Sequence, residues 1–273
     1  MWFSGFFPRS NSCNLILESN RNGLRLKEEK RERILIMDFS LFIPHMVDIW
    51  KSYWQVFLFQ GLKNTLLLTC ISVALGTLLG TFIAMAKMSK IAPLRWIVSV
   101  YIEVLRGTPI LLQLYVFYFV LPQILPFLKL SQFMWVSIAL CVNSSAYVSE
   151  VIRSGIQAVD KGQTEAARSL GLSESQTMTK IILPQAVRNI LPALGNEFIM
   201  MLKETSLAST FFLGDLMTSY AIVKGVTYLT LEPMTIVAII YLCMTFPLSK
   251  IVERFEKKMA NPNSYRKHKK KSV

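Results

Sequence analysis

Apolar residues in this chain do not recur at short amphipathic spacing; they collect in runs near 20, the length that crosses a bilayer as an α-helix. Five runs stand out: Leu62 to Ala86, Leu94 to Leu121, Phe133 to Ile152, Gln185 to Ser209 and Met234 to Val252. The first, at 1.5 Å per residue, reaches about 37 Å, enough to cross with some tilt. Pro122 and Pro126 break the chain after the second run, and Glu232 and Pro233 stand before the fifth. The pattern predicts an all-α integral membrane protein of about five spans, with its termini on opposite sides.

Composition agrees. Of the 273 residues 52% are hydrophobic and 17% charged, where a soluble domain carries about 25% charged residues. A compact water-soluble enzyme is therefore not expected. The net charge of +13, from 30 Lys and Arg against 17 Asp and Glu, suits nucleic acid or an anionic membrane, and its distribution decides between them. Cations cluster after span one (Lys87, Lys90, Arg95), after span three (Arg153, Lys161, Arg168, Lys180) and after span five (Lys250, Arg254, Lys257, Lys258, then Arg266 to Lys271). These segments share one side. The other side offers Lys129, and Lys224 balanced by Asp215 and Glu232. Short cytoplasmic loops hold the Lys and Arg excess, so the N-terminus is expected outside and the C-terminus in the cytoplasm.

Residues 1–36 run against this bias, with seven basic residues and four acidic ones, and they lack the apolar core of a cleaved signal peptide. The expectation is that Met37 is the true start and that 1–36 is a non-native or disordered extension. From 37 to 60, Trp50, Tyr53 and Trp54 beside Asp48 and Lys51 read as an amphipathic helix in the outer interface. Residues 259–273 form a basic cytoplasmic tail suited to anionic lipid. Nucleic-acid binding would want aromatic residues among the cations, and only Tyr265 is near, so no nucleic-acid partner is expected.

Cys13, Cys70, Cys141 and Cys243 make neither a disulfide framework nor a CxxC pair, and His45 and His268 lack ligand spacing; no metal or cofactor is expected on this chain.

The segment 153–182, between spans three and four, is unusually long for a simple connection. Gln163 to Leu170 reads as a short helix with two small residues, Ala166 and Ala167, that permit close approach, ended by Gly171, where a left-handed backbone meets no Cβ clash. A second helix, Glu174 to Ile182, leads into Pro184 at the first turn of span four. A turn-bounded helix projecting from a membrane is a docking knob.

The series Glu165, Ala166, Ala167, Gly171, Ile181, Leu183, Pro184 resembles the coupling-loop signature (EAA, G, I, LP) of permease subunits of bacterial ABC importers. The phrases RGTP at 106–109, NSSAYVSEVIRSGIQ at 143–157, LPQA at 183–186, LGNEF at 194–198 and KETSLAS at 203–209 narrow the resemblance to the polar amino acid branch, the histidine, glutamine and arginine permeases. It covers about Trp54 to Lys258. It implies the type I importer permease fold in the bacterial cytoplasmic (inner) membrane, and a coupling helix around Glu165 to Gly171 that fits a groove on an ABC ATPase subunit. It further implies a second permease (the same chain or a sister) and an extracytoplasmic amino-acid-binding protein. ATP and Mg would sit on the ATPase, since this chain has no GxxxxGK[ST] loop. After Ser209 the sequence departs from the family pattern, with Thr210-Phe211-Phe212-Leu213 in place of an aliphatic run, which bears on a re-entrant stretch from Ala208 to Val223.

Charges at membrane depth need partners or a wet path. Glu103 and Arg106, three apart in span two, are placed to pair with each other across a helix kinked at Pro109. Span four holds Asn196, Glu197, Lys203, Glu204 and Thr205, and is expected to line the path against a second permease. Two roles are open to Glu103, Arg106 and Glu197: a structural ion pair or hydrogen bond, or contact with a zwitterionic amino acid. The rival classes fare worse. A secondary transporter or channel would need an ion relay or inverted repeat, and no convincing repeat relates the halves. A membrane-anchored enzyme would need a paired nucleophile and base in a polar domain.

Overall fold

The computed structural model describes residues 39–260, and every ordered element among them is helical. The expectations for 1–36, for a start at Met37 and for the tail from 261 onward lie outside the described residues. Two compact units divide the chain at residue 49. In the first, the described residues begin helix α1, whose bounds are Phe39–Gln55. The rest of the fold belongs to the second.

After a widened turn at Val56–Leu62, where the Lys63 N–H bonds five residues back to Leu58 O, α2 spans Lys63–Lys87. Next come α3 (Ala92–Gly107) and α4 (Ile110–Tyr115), the latter running on through a second widened turn to Ile124. Then follow α5 (Gln132–Gln157), α6 (Lys161–Ser169), and α7 (Glu174–Thr177), extended by a widened turn over Met178–Ile182. The remainder is α8 (Leu183–Glu204), a tight 3-10 stretch at Thr205–Phe211, α9 (Leu216–Thr227) and α10 (Leu231–Ala260).

Three helical stretches are long and apolar enough to cross a membrane alone: Leu41–Lys87, Gln132–Gln157 and Leu231–Met259. Two bent pairs make up the rest of a possible five. The α8–α9 pair, with the segments flanking α8, bends by 45°, whereas α3 and its partner Ile110–Ile124 meet at 105°. The single kinked helix expected from Leu94 to Leu121 is thus corrected to two helices joined at a corner, whether the pair crosses as one broken span or turns back. The cause is local: Pro109 removes an N–H and pushes Thr108 into extended backbone (φ −113°, ψ 146°), which no helix continues through.

Helix α5 is the hub. It has the lowest mean hydropathy of the three long stretches, 1.3, and is the most buried of them. Surrounded by protein rather than lipid, it can carry Asn143, Ser144, Ser145 and Ser149 inward. Against it lies α2, brought close by small residues: a Cβ at Gly80 would stand 2.8 Å from Ser145 O and from Val148 Cβ. Leu68, Val136, Leu140 and Met201 join α2, α5 and α8 in one apolar cluster; Ala84, Val148, Ile152 and Ala186 make another. Helix α9 is bolted to the start of α2 by the Leu216 N–H bonding Thr65 Oγ1 (3.0 Å) and the Asn64 amide bonding Gly214 O (3.2 Å). The Thr210–Leu213 departure resolves into one buried and one exposed ring: Phe211 enters the first cluster, while Phe212 adopts φ 51° and is 73% exposed.

Candidate functional site

The projecting helix of segment 153–182 is closed at both ends by hydrogen bonds. Asp160 caps α6, its Oδ1 accepting from the Gly162 N–H at 2.7 Å. At the other end Gly171 takes φ 82°, its N–H reaching Arg168 O (3.0 Å) while the Leu172 N–H reaches Ala167 O (3.1 Å). That bond pair is the Schellman closure, which satisfies the carbonyls a helix end leaves open. Arg168 Nη1 adds a bond to Leu172 O at 2.7 Å. Ser173 and Gln176 then open α7 with reciprocal capping bonds. Ala167 is buried, whereas Glu165, Ala166 and Gly171 are exposed. Ile181 is half-buried and Leu183 and Pro184 are exposed at the start of α8. Leu170, which the motif does not single out, stands 81% exposed at the tip. Beneath the knob is a cleft of about 530 Å³ between the end of α5 and α6, α7 and Met178–Ile182.

The charges at membrane depth divide. The expected Glu103–Arg106 pair does not form: Glu103 is exposed, and Arg106 Nη1 instead lies 3.9 Å from Glu150 Oε2, its guanidinium over the Tyr147 ring at 5.5 Å. The reason is the corner at Pro109, which leaves α3 packed on α5 and turns Arg106 toward it. Glu150 also accepts from Lys87 Nζ (2.8 Å) and Arg153 Nη2 (2.7 Å), joining the ends of α2 and α5. Glu150 was missed in the sequence; the Glu150–Arg153 spacing of three was its visible signal. Glu197 is buried and accepts from Ser144 Oγ at 3.4 Å. Thr205 is buried with its hydroxyl bonded back to Leu202 O, Glu204 is half-buried with an unbonded Oε2, and Asn196 and Lys203 are exposed.

A second polar group, also missed, pins the corner. Gln113 Nε2 donates to Leu105 O (2.7 Å) and to Thr108 O and Oγ1, while Tyr101 OH pairs with Ser145 Oγ at 2.8 Å.

Comparison with known families places this architecture. The model of the "Binding-protein-dependent transport system inner membrane component" family matches residues 76–261. The chain belongs to this family. The permease is 40% identical over 223 residues to the arginine transport system permease protein ArtQ of Bacillus subtilis (strain 168), covering 82% of this chain and 97% of ArtQ. It is 40% identical to the L-cystine transport system permease protein TcyB of the same organism, covering 62% of this chain and 70% of TcyB. A crystal structure of an amino acid ABC transporter with histidines aligns at TM-score 0.72 and 47% identity, over 76% of the permease and 95% of that chain. The MetNI methionine ABC transporter shares the fold at TM-score 0.62 and 18% identity, over 75% and 97%. The permease is thus an all-helical, multi-pass component of the inner membrane with the type I importer fold, a transport subunit and not an enzyme.

Proposed function

We propose that this permease carries polar amino acids inward as the membrane subunit of an ATP-driven importer. Its orientation would be N-terminus outside and C-terminus in the cytoplasm. The carrying observation is the α6 knob: a short helix held rigid at both ends, with Glu165 and Ala166 exposed on it and Leu170 at its tip. An exposed leucine beside a polar face suits a groove on a separate ATPase, which would hold the ATP and Mg. Relatives named for arginine and cystine transport support the substrate class. An extracytoplasmic binding protein would deliver the amino acid, and a second permease, identical or sister, would complete the path along α5 and α8. Glu165, Ala166, Gly171, Leu183 and Pro184 would form the coupling surface, with Ala167 buried and Ile181 half-buried beneath it. Of the path candidates, Glu197 and Thr205 are buried within the helices and Glu204 is half-buried.

The test is reconstitution into vesicles, with a cysteine replacing Leu170 for crosslinking. ATP-dependent amino-acid uptake with a crosslink to the ATPase is the expected result. Uptake by the permease alone on an ion gradient, or a crosslink on the outer face, overturns the proposal.

A further inference from the structure

A second cleft, of about 700 Å³, opens where the end of α2, the start of α3 and the end of α5 meet. Lys87, Arg95, Trp96, Ser99, Arg153 and Gln157 line it; three are cations and none of the lining residues is a carboxylate. Glu150 lies behind Lys87 and Arg153 and neutralises one of them, so positive charge remains in surplus. Arg95 is exposed and has no ion-pair partner among the described residues.

Lys87, at the edge of this cleft, ends the apolar helical stretch Leu41–Lys87, and the end of a spanning helix is where a headgroup layer meets the chain. Trp96 is 70% exposed beside the cations, with Ile97 at 59% and Leu94 at 37%. An indole at that level is the usual interfacial anchor. Cations set beside exposed tryptophan and aliphatic side chains match a molecule with a phosphate at one end and acyl chains at the other.

We propose that this cleft binds the phosphate headgroup of an anionic phospholipid, with Arg95 as its principal contact, Lys87 and Arg153 supplying the field, and Trp96, Ile97 and Leu94 against the glycerol and upper acyl chain. Basic pockets between spanning helices select such headgroups by charge. Gln157 also lines the cleft beneath α6, so an occupied headgroup site braces the end of α5 from which the knob departs. The inference needs only the membrane setting and stands apart from substrate and orientation.

The test is native mass spectrometry of the purified permease complex in detergent, titrated with phosphatidylglycerol or phosphatidylcholine, with inorganic phosphate as competitor. Wild type is expected to retain phosphatidylglycerol in preference to phosphatidylcholine, and Arg95→Gln to weaken it about fivefold, the effect of one cation near an anionic surface. Lys63→Gln, the same charge change at the far end of α2, is expected to leave it unaltered. Equal retention by wild type and Arg95→Gln overturns the site. Displacement by millimolar inorganic phosphate overturns the lipid as its occupant.

Discussion

Asn143 donates its side-chain amide to Gln113 Oε1 over 2.9 Å, and through this bond the corner between α3 and α4 is tied to α5. Gln113 spends its own amide on Leu105 O and Thr108 O, carbonyls that a turn ending at Pro109 leaves without helical donors. One buried side chain thus completes a broken helix and anchors it.

Replacing Gln113 by Met keeps the volume and strands several buried groups at once. The expected loss is about 2–3 kcal/mol, since each unsatisfied buried group costs about 1–3 and part of the exposed rim rehydrates. Thermal unfolding in detergent reads it out, and a Gln113→Met protein as stable as wild type would contradict the arrangement.

The α2–α5 seam should tolerate no side chain at Gly80. A methyl group there meets Ser145 O, a backbone atom, at 2.8 Å, so the helices must part. Gly80→Ala is expected to destabilise by about 1–3 kcal/mol. Gly225→Ala, in α9 with open space around it, should be neutral or mildly stabilising because alanine is the better helix former. Equal melting shifts for the two would remove the case for close packing.

Much of this fold is legible in the sequence, because long apolar runs report directly on helices able to cross a bilayer. The Gly171 closure is legible too, since a left-handed helix end names its residue. The corner at Pro109 is not: a proline inside an apolar run signals a break, but its angle depends on Gln113 reaching back, a contact between turns that no periodicity encodes. Glu150 is only half legible, since its spacing of three from Arg153 shows in the sequence and its other contacts do not. Its partners Lys87 and Arg106 come from helices 63 and 44 residues earlier, while the local spacing of Glu103 and Arg106 offered a pairing that tertiary packing overrode.

The Glu150 cluster should behave as a unit. Glu150 is 16% exposed in its side chain and Lys87 is 19%, so removing one charge leaves others poorly solvated. Glu150→Gln is expected to cost about 1–3 kcal/mol, and Lys87→Met less than that in the Glu150→Gln background than alone. A double-mutant cycle measures the difference, with coupling above about 0.5 kcal/mol expected; strict additivity would mean the contact contributes nothing.

Glu197 is the position at which a transport role can be tested apart from assembly. It sits buried against Ser144 on the hub helix, far along α8 from the knob. Glu197→Gln keeps shape and a hydrogen-bonding group while removing the charge. Amino-acid uptake is expected to fall with the ATPase still co-purifying. Loss of co-purification would instead assign this carboxylate to structure alone.

Gly171 offers the sharpest test of the knob, because backbone and surface can be varied separately there. At φ 82° an added Cβ meets no neighbouring atom, so Gly171→Ala is penalised only by the left-handed backbone, by about 1–2 kcal/mol. Asn tolerates that region better, and Gly171→Asn should recover part of the loss. Leu170→Ala leaves the closure intact and removes only the exposed side chain at the tip. If α6 receives an ATPase, Leu170→Ala lowers ATPase co-purification with no change in melting temperature, while Gly171→Ala lowers both and Gly171→Asn restores both in part. A Leu170→Ala protein that binds the ATPase as wild type does would move the docking surface away from the tip.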